Sequence, residues 1–372
     1  MNDILFYLKK AVELSASDIF IVSGLPVSYK LHGSISPQED EIVMPDLSMA
    51  LISELYEFAK RPIEELLNNG DDDFSLSVKG ISRFRVSAYK QRGSIAAIIR
   101  VVAFAIPEWE SLHIPAEVLK VAREVKNGLV LVTGTAGSGK STTLACMINE
   151  INKTRAGHII TLEEPIEFFH RNDKSVVSQR EIPTDTTNYV TALRACMRQA
   201  PDVILVGEMR DYETIKAAMT AAETGHLVIS SLHTVGAANS VDRIIDVFPP
   251  EQQQQIRVQL SMLLRTVISQ QLVGVEGGSV YPAFEIMHTN SAIRTLIREA
   301  KVHQIDAAIS SASSEGMISM DSSLIELYNK GLISKEDTLK YSSNYELMHR
   351  KIGAEKEAPE AAAEKRKGFF NK

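Results

Sequence analysis

The segment Gly134-Thr135-Ala136-Gly137-Ser138-Gly139-Lys140-Ser141 constrains the fold of this chain more than any other stretch. It follows an apolar, β-branched run, Gly128-Leu129-Val130-Leu131-Val132-Thr133, and leads into Thr142-Thr143-Leu144-Ala145-Cys146-Met147-Ile148, which has helical character. Strand, glycine-rich turn and helix are the parts of a phosphate-binding loop. Glycines let the backbone curl so that its N–H groups point inward, and the positive end of the following helix adds to the same anion site. Lys140 is placed to reach the outer phosphates of a nucleotide, and the Ser141 hydroxyl to ligate the Mg²⁺ that bridges them.

The surroundings fit an α/β domain. Beyond Pro107, Trp109 and Pro115, strand-like runs at Leu129 to Thr133, His158 to Leu162, Val203 to Val206 and His226 to Ser231 alternate with helical or looped spans. That alternation predicts a parallel sheet with helices on its faces. Asp211 is expected to cap a helix carrying the stripe Ile215, Ala218, Met219 and Ala222 and ending at Gly225, and Pro250 to Leu272 reads as one long amphipathic helix. Parallel sheets gather their sites at the carboxyl ends of strands. Glu163-Glu164 and Glu208 stand at two such ends, and His226 and His233 bracket a further strand. A carboxylate there can orient water against a γ-phosphate or hold the magnesium shell.

Residues 1–105 read as a separate α/β unit, with 106–115 as linker, 116–352 as the second domain and 353–372 as a flexible Ala-, Glu- and Lys-rich tail. In the first unit a helix is expected from Ile4 to Leu14, a hairpin from Asp18–Val22 and Val27–Leu31, and a helix from Pro45 to Ala59. A second hairpin pairs Ile81–Lys90 with Ile95–Val102. From Lys79 to Pro107 there is no acidic residue, and Arg83, Arg85 and Tyr89 share one face of the first strand while Phe84, Val86 and Ala88 share the other.

At 372 residues the chain has room for two domains, and its 44% hydrophobic and 23% charged composition is that of an ordinary soluble protein. A net charge of -7 implies no general attraction to nucleic acid or anionic lipid. The two cysteines, Cys146 and Cys196, have no CxxC partner, which disfavours a zinc site or disulfide scaffold and fits a reducing cytoplasm. No signal peptide is read at the N-terminus.

Gly134 to Thr142, Ile160 to Phe168 with Glu163-Glu164 inside it, Asp202 to Asp211, Ala222-Glu223-Thr224-Gly225-His226 through His233-Thr234, and Ala292-Ile293-Arg294-Thr295-Leu296-Ile297 resemble, in order, five signatures of the type IV pilus retraction ATPases, the PilT family within the secretion ATPase superfamily. The resemblance runs from about Leu5 to Leu332. It implies a PAS-like N-terminal domain and a RecA-like C-terminal domain in a homohexameric motor that hydrolyses ATP with Mg²⁺. Such a motor works at the cytoplasmic face of the inner membrane on a pilus platform protein, at times beside a sibling retraction ATPase. By position, the resemblance gives Lys140, Ser141 and Thr142 the phosphates and Mg²⁺, Glu163 the role of catalytic acid, and Glu208 the Walker B role, holding Mg²⁺ through water. His226 and His233 become members of the γ-phosphate sensing box, and Arg83 and Arg92 residues directed at a nucleotide held by the neighbouring domain.

The departures are Glu164 and Phe20 where the family usually has Asp and His, Ser230-Ser231 for Gly-Thr, and Thr295 for Asn. The alternatives are a PilU-like accessory ATPase, an extension or type II secretion ATPase, and a nucleotide-binding regulatory subunit. With two cysteines the chain lacks the tetracysteine zinc element of the extension and secretion enzymes. The helix begun by Ser291 is expected to pack through Ile293, Leu296 and Ile297 and to present Arg294, Arg298 and Lys301 as a basic ridge.

Overall fold

The computed structural model describes residues 3–31, 33–102, 106–275 and 280–352, so the expected flexible tail, 353–372, lies outside the described residues. The chain divides into two units, Met1–Ile106 with Glu167–His170, and Pro107–Ile166 with Arg171–Lys372.

The first unit runs α1 (Ile4–Glu13), β1 (Asp18–Ile21), β2 (Pro26–Leu31), β3 (Ser34–Ile42), α2 (Pro45–Ala59), α3 (Glu64–Asn69), β4 (Asp71–Val78), β5 (Ser82–Gln91) and β6 (Ser94–Val102). Its six strands form one antiparallel sheet in the order β3-β2-β1-β6-β5-β4. Asp3 caps α1 by accepting from the Phe6 N–H at 2.9 Å. The β5 alternation holds: Phe84, Val86 and Ala88 are fully buried in the unit's core. Strands β3 and β4 were not expected, because Gln38 to Glu41 and Asp71 to Asp73 have poor strand propensity. Pairing along β2 and β5 and burial of Phe74, Leu76 and Val78 outweigh it.

The second unit runs α4 (Ala116–Glu124), β7 (Gly128–Thr133), α5 (Lys140–Thr154), β8 (His158–Glu163), β9 (Val176–Glu181), α6 (Tyr189–Cys196), β10 (Val203–Val206), α7 (Tyr212–Glu223), β11 (Leu227–Leu232), α8 (Ala237–Asp246), α9 (Pro250–Leu263), β12 (Leu264–Gly274), β13 (Val280–His288), α10 (Ser291–Arg298), α11 (Ile305–Ser311), α12 (Met320–Asn329) and α13 (Lys335–Tyr341). The sheet order is β13-β12-β7-β11-β10-β8-β9. All neighbours from β12 to β9 are parallel, and β13 adds an antiparallel edge. Every residue of β7, β10 and β11 is buried, as in a sheet covered on both faces. Asp211 caps α7 through the Thr214 N–H at 2.9 Å.

Two expectations are corrected. The long helix read from Pro250 to Leu272 ends at Leu263, and strand β12 takes over. On α9 only Ile256, Leu260 and Ser261 are buried, whereas Val267 and Ile268 pair beside Leu131 and Val132 of β7. A β-branched run with a sheet edge available is worth more as strand than as the extension of a weakly buried helix. Helix α10 packs through Ile293 and Ile297 and exposes Arg294 and Arg298, but it stops at Arg298. Lys301 therefore lies outside it and pairs with Glu299 at 2.8 Å instead of extending the ridge.

Candidate functional site

The sheet order sets out the site. Strands β7, β11, β10 and β8 are successive neighbours about 4.8 Å apart, and each ends with a residue singled out by its sequence. Strand β7 runs into the loop from Gly134 to Gly139 and so into Lys140 at the start of α5, β11 is followed by His233, β10 by Gly207 and Glu208, and β8 ends on Glu163.

These ends are joined by side chains. Lys140 Nζ donates to the carbonyls of Gly134 and Thr135, both at 2.8 Å, and lies 3.5 Å from His233 Nδ1. His233 Nε2 is 3.1 Å from Glu208 Oε2. An ammonium can only donate, so Nδ1 accepts and Nε2–H donates to the carboxylate. Arg210 holds the other Glu208 oxygen, Oε1. The lysine and Glu208 are nearly buried, at 8% and 9% exposure, while half of the His233 side chain is open to solvent. Glu163 Oε1 accepts from Thr161 Oγ1 at 2.6 Å and Gln179 Nε2 at 3.2 Å.

The loop has the shape of a phosphate cradle. Gly134, Gly137 and Gly139 all have positive φ, and Gly139 stands at the N-cap of α5. Thr135, Ala136 and Gly137 are exposed, Ser141 and Thr142 half-buried in the first turn of α5, and Ser138 Oγ is buried without a hydrogen-bond partner. This donor set fits a polyphosphate. Among the described residues no group of three or more His, Cys, Asp or Glu is arranged to hold a metal ion. A magnesium ion at Ser141 and Glu208 would accordingly take most of its ligands from phosphate and water.

Several contributors went unread in the sequence. Tyr189, at the start of α6, has its hydroxyl 3.1 Å from where a Cβ on Gly207 would stand. Burial, then the neighbouring Glu164 and Glu208, push its phenol up, so it remains a neutral O–H donor among carboxylates. Gln179 lies on the unforeseen strand β9, and Arg210 sits two residues beyond Glu208. On β12, Gln270 accepts from Thr143 Oγ1 at 2.7 Å and Ser269 Oγ accepts from Gly236 N–H at 2.8 Å. Glu285 of β13 caps α8 through Ala237 N–H at 2.7 Å, and burial raises its pKa. The β-branched Thr266-Val267-Ile268 ahead of these residues was the signal for a strand.

The structure does not bring His226 to the phosphate loop of its own chain. It precedes β11, its carbonyl accepts from Gly128 N–H at 3.0 Å, and its Nδ1 lies 3.0 Å from Ala221 O and 3.1 Å from Thr224 Oγ1. The six residues of β11 separate it from His233, about 20 Å of extended chain. Arg83 and Arg92 belong to the first unit, Arg83 on β5 opposite Ser77 and Arg92 exposed in the turn after it.

Comparison with known proteins adds the lineage. Residues 2–277 match the family described as type II/IV secretion system protein. The chain is 45% identical over 340 residues to the type IV pilus retraction ATPase PilT of Pseudomonas aeruginosa, covering 90% of this chain and 96% of that protein. It is 47% identical over 281 residues to a twitching motility protein of Neisseria gonorrhoeae, with 75% of each covered. The crystal structure of the pilus retraction motor PilT with bound ADP superposes with a TM-score of 0.86 at 43% identity, covering 94% of this chain and all of that one.

Proposed function

The chain belongs to the type II/IV secretion system protein family, within its pilus-retraction ATPases, and on that premise we propose that it is an ATP-hydrolysing motor that drives retraction of type IV pili. The observation that carries this reading is the row Lys140, His233, Glu208, Arg210, which links the phosphate loop after β7 across β11 to the carboxylate that follows β10.

In this reading the loop N–H groups and Lys140 hold the phosphates, and Ser141 and Glu208 are the residues that would hold Mg²⁺, which would supply neutralising charge there. Glu163, the family's catalytic acidic residue, stands at the end of β8 and orients the attacking water against the γ-phosphate, with the neutral Tyr189 phenol beside the carboxylates. His233 touches both Lys140 and Glu208, so a change at the phosphates reaches the Walker B carboxylate through one ring. Phosphoryl transfer asks for positioning and charge stabilisation more than for covalent chemistry by the protein, which is what this arrangement supplies. The working unit is a homohexamer acting at the cytoplasmic face of the inner membrane on a pilus platform protein, with Arg83 and Arg92 of one subunit directed at the nucleotide of the next. Any contact with the membrane passes through that partner.

ATPase activity measured together with native mass tests the enzymatic half. Magnesium-dependent turnover in a species six times the chain mass is expected, and a monomer without turnover overturns it. Imaging of labelled pili in a deletion strain tests the other half: pili should persist and fail to retract, whereas their loss would mean that the chain builds filaments.

A further inference from the structure

Gln270 is carried by β12, the parallel neighbour of the phosphate-loop strand β7, and the register Ser269 to Thr133 puts it next in line with Gly134. Its carbonyl oxygen lies so near that a Cβ on Gly134 would stand 2.3 Å away, and its Nε2 would be 2.8 Å from a Cβ on Gly139. Its Oε1 accepts from Thr143 on α5 at 2.7 Å, and both residues are buried, at 3% and 0% exposure. One residue of a neighbouring strand thus abuts the first and last glycines of the loop and holds the first turn of the helix behind it.

We propose that Gln270 is a positioning residue of the nucleotide site, holding the loop in its phosphate-binding shape through Thr143. An amide suits this place better than the isosteric carboxylate. It is neutral, accepts from Thr143 with its oxygen and turns an N–H toward the loop, whereas a buried negative charge beside a phosphate cradle would repel the ligand. This role rests on the nucleotide-binding reading, and Lys140→Ala separates the two.

The experiment is a titration of the full-length protein with a fluorescent ADP analogue, alongside steady-state ATP hydrolysis and thermal melting. Gln270→Ala and Thr143→Val should each raise Kd and KM about tenfold, the size of one lost buried hydrogen bond. Thr143→Ser should bind as the native protein does, and the double variant no worse than either single one. Gln270→Glu should bind more weakly still near neutral pH and recover as the pH falls and the carboxyl protonates, a dependence absent from Gln270→Ala and foreign to a packing role. If Gln270→Ala does not fold, the Thr143→Val and Thr143→Ser pair decides alone. Native affinity in Thr143→Val and Gln270→Ala, with binding lost in Lys140→Ala, overturns the role of Gln270 and leaves the nucleotide site standing. Native affinity in Lys140→Ala removes both.

Discussion

Lys140 joins the loop carbonyls to His233, so its removal subtracts a point charge from the phosphates and an anchor from the loop at once. Lys140→Ala should abolish tight ATP binding in an equilibrium titration, and normal affinity would remove the phosphate-loop assignment. Glu208→Gln keeps size but loses the charge and one of the two acceptor oxygens that meet Arg210 and His233. Bound nucleotide should be retained and turnover reduced at least ~100-fold, in the range for a positioned catalytic group. Unchanged turnover would shift the weight to Glu163. His170 gives a prediction about stability. Burial lowers its pKa from 6.5 to about 4, so it is neutral in the folded protein. Between those values the unfolded chain binds the extra proton, so the stability present above pH 6.5 drains away as pH falls toward 4, by about 2 kcal/mol at pH 5. Melting curves should drop between pH 7 and pH 5, and less steeply in His170→Gln. Equal slopes would show that other groups govern the acid limb.

Elements differ in how openly their sequences declare them. The phosphate loop was legible because glycines with positive φ, a lysine and a hydroxyl residue at fixed spacing have few other uses, and Glu163, Glu208 and His233 because β8, β10 and β11 precede them as apolar runs. Strand β12 was not, since Val267, Ile268, Leu272 and Val273 satisfy a helical spacing nearly as well, and only the open edge of β7 decides between the two. With β12 misread, Ser269 and Gln270 had no place in the site, and with β9 unseen neither had Gln179. His226 is a different case. The resemblance groups it with His233 in one box, and within a single chain the extended strand β11 between them holds the two rings apart. Helix α10 was foreseen, and its exposed Arg294 and Arg298 lie on the face beside buried Ile293 and Ile297. Reversing both charges, Arg294→Glu with Arg298→Glu, should leave melting temperature and most ATP hydrolysis intact while pili remain on the surface and stop retracting. Loss of hydrolysis in that variant would make α10 part of the ATPase instead of a surface that meets a partner.

For the molecule as a whole, the N-terminal unit has the acid-free hairpin β5–β6 but no phosphate loop, and the loop sits in the second unit. If subunits share sites in a ring, mixing Arg92→Ala with Lys140→Ala chains should recover ATPase activity above the sum of the parents, because some sites then receive both native residues. A residue acting in trans as an arginine finger is worth up to ~1,000-fold or more in rate. Mixtures that never exceed their parents, with an isolated subunit hydrolysing at full rate, would rule the ring out. A different constraint comes from β12. Ser269 holds the backbone after His233 and Gln270 holds the phosphate loop, and as consecutive residues of a strand they point to opposite faces. One extra residue inserted after Thr266 would exchange those faces and release both loops at once. The bulge between Leu264 and Thr266 shows where the pairing already absorbs a residue. Length variation in descendants of this chain is therefore tolerable ahead of Thr266 and forbidden from there to Gln270, a five-residue ruler whose spacing matters more than the identity of the apolar residues marked along it.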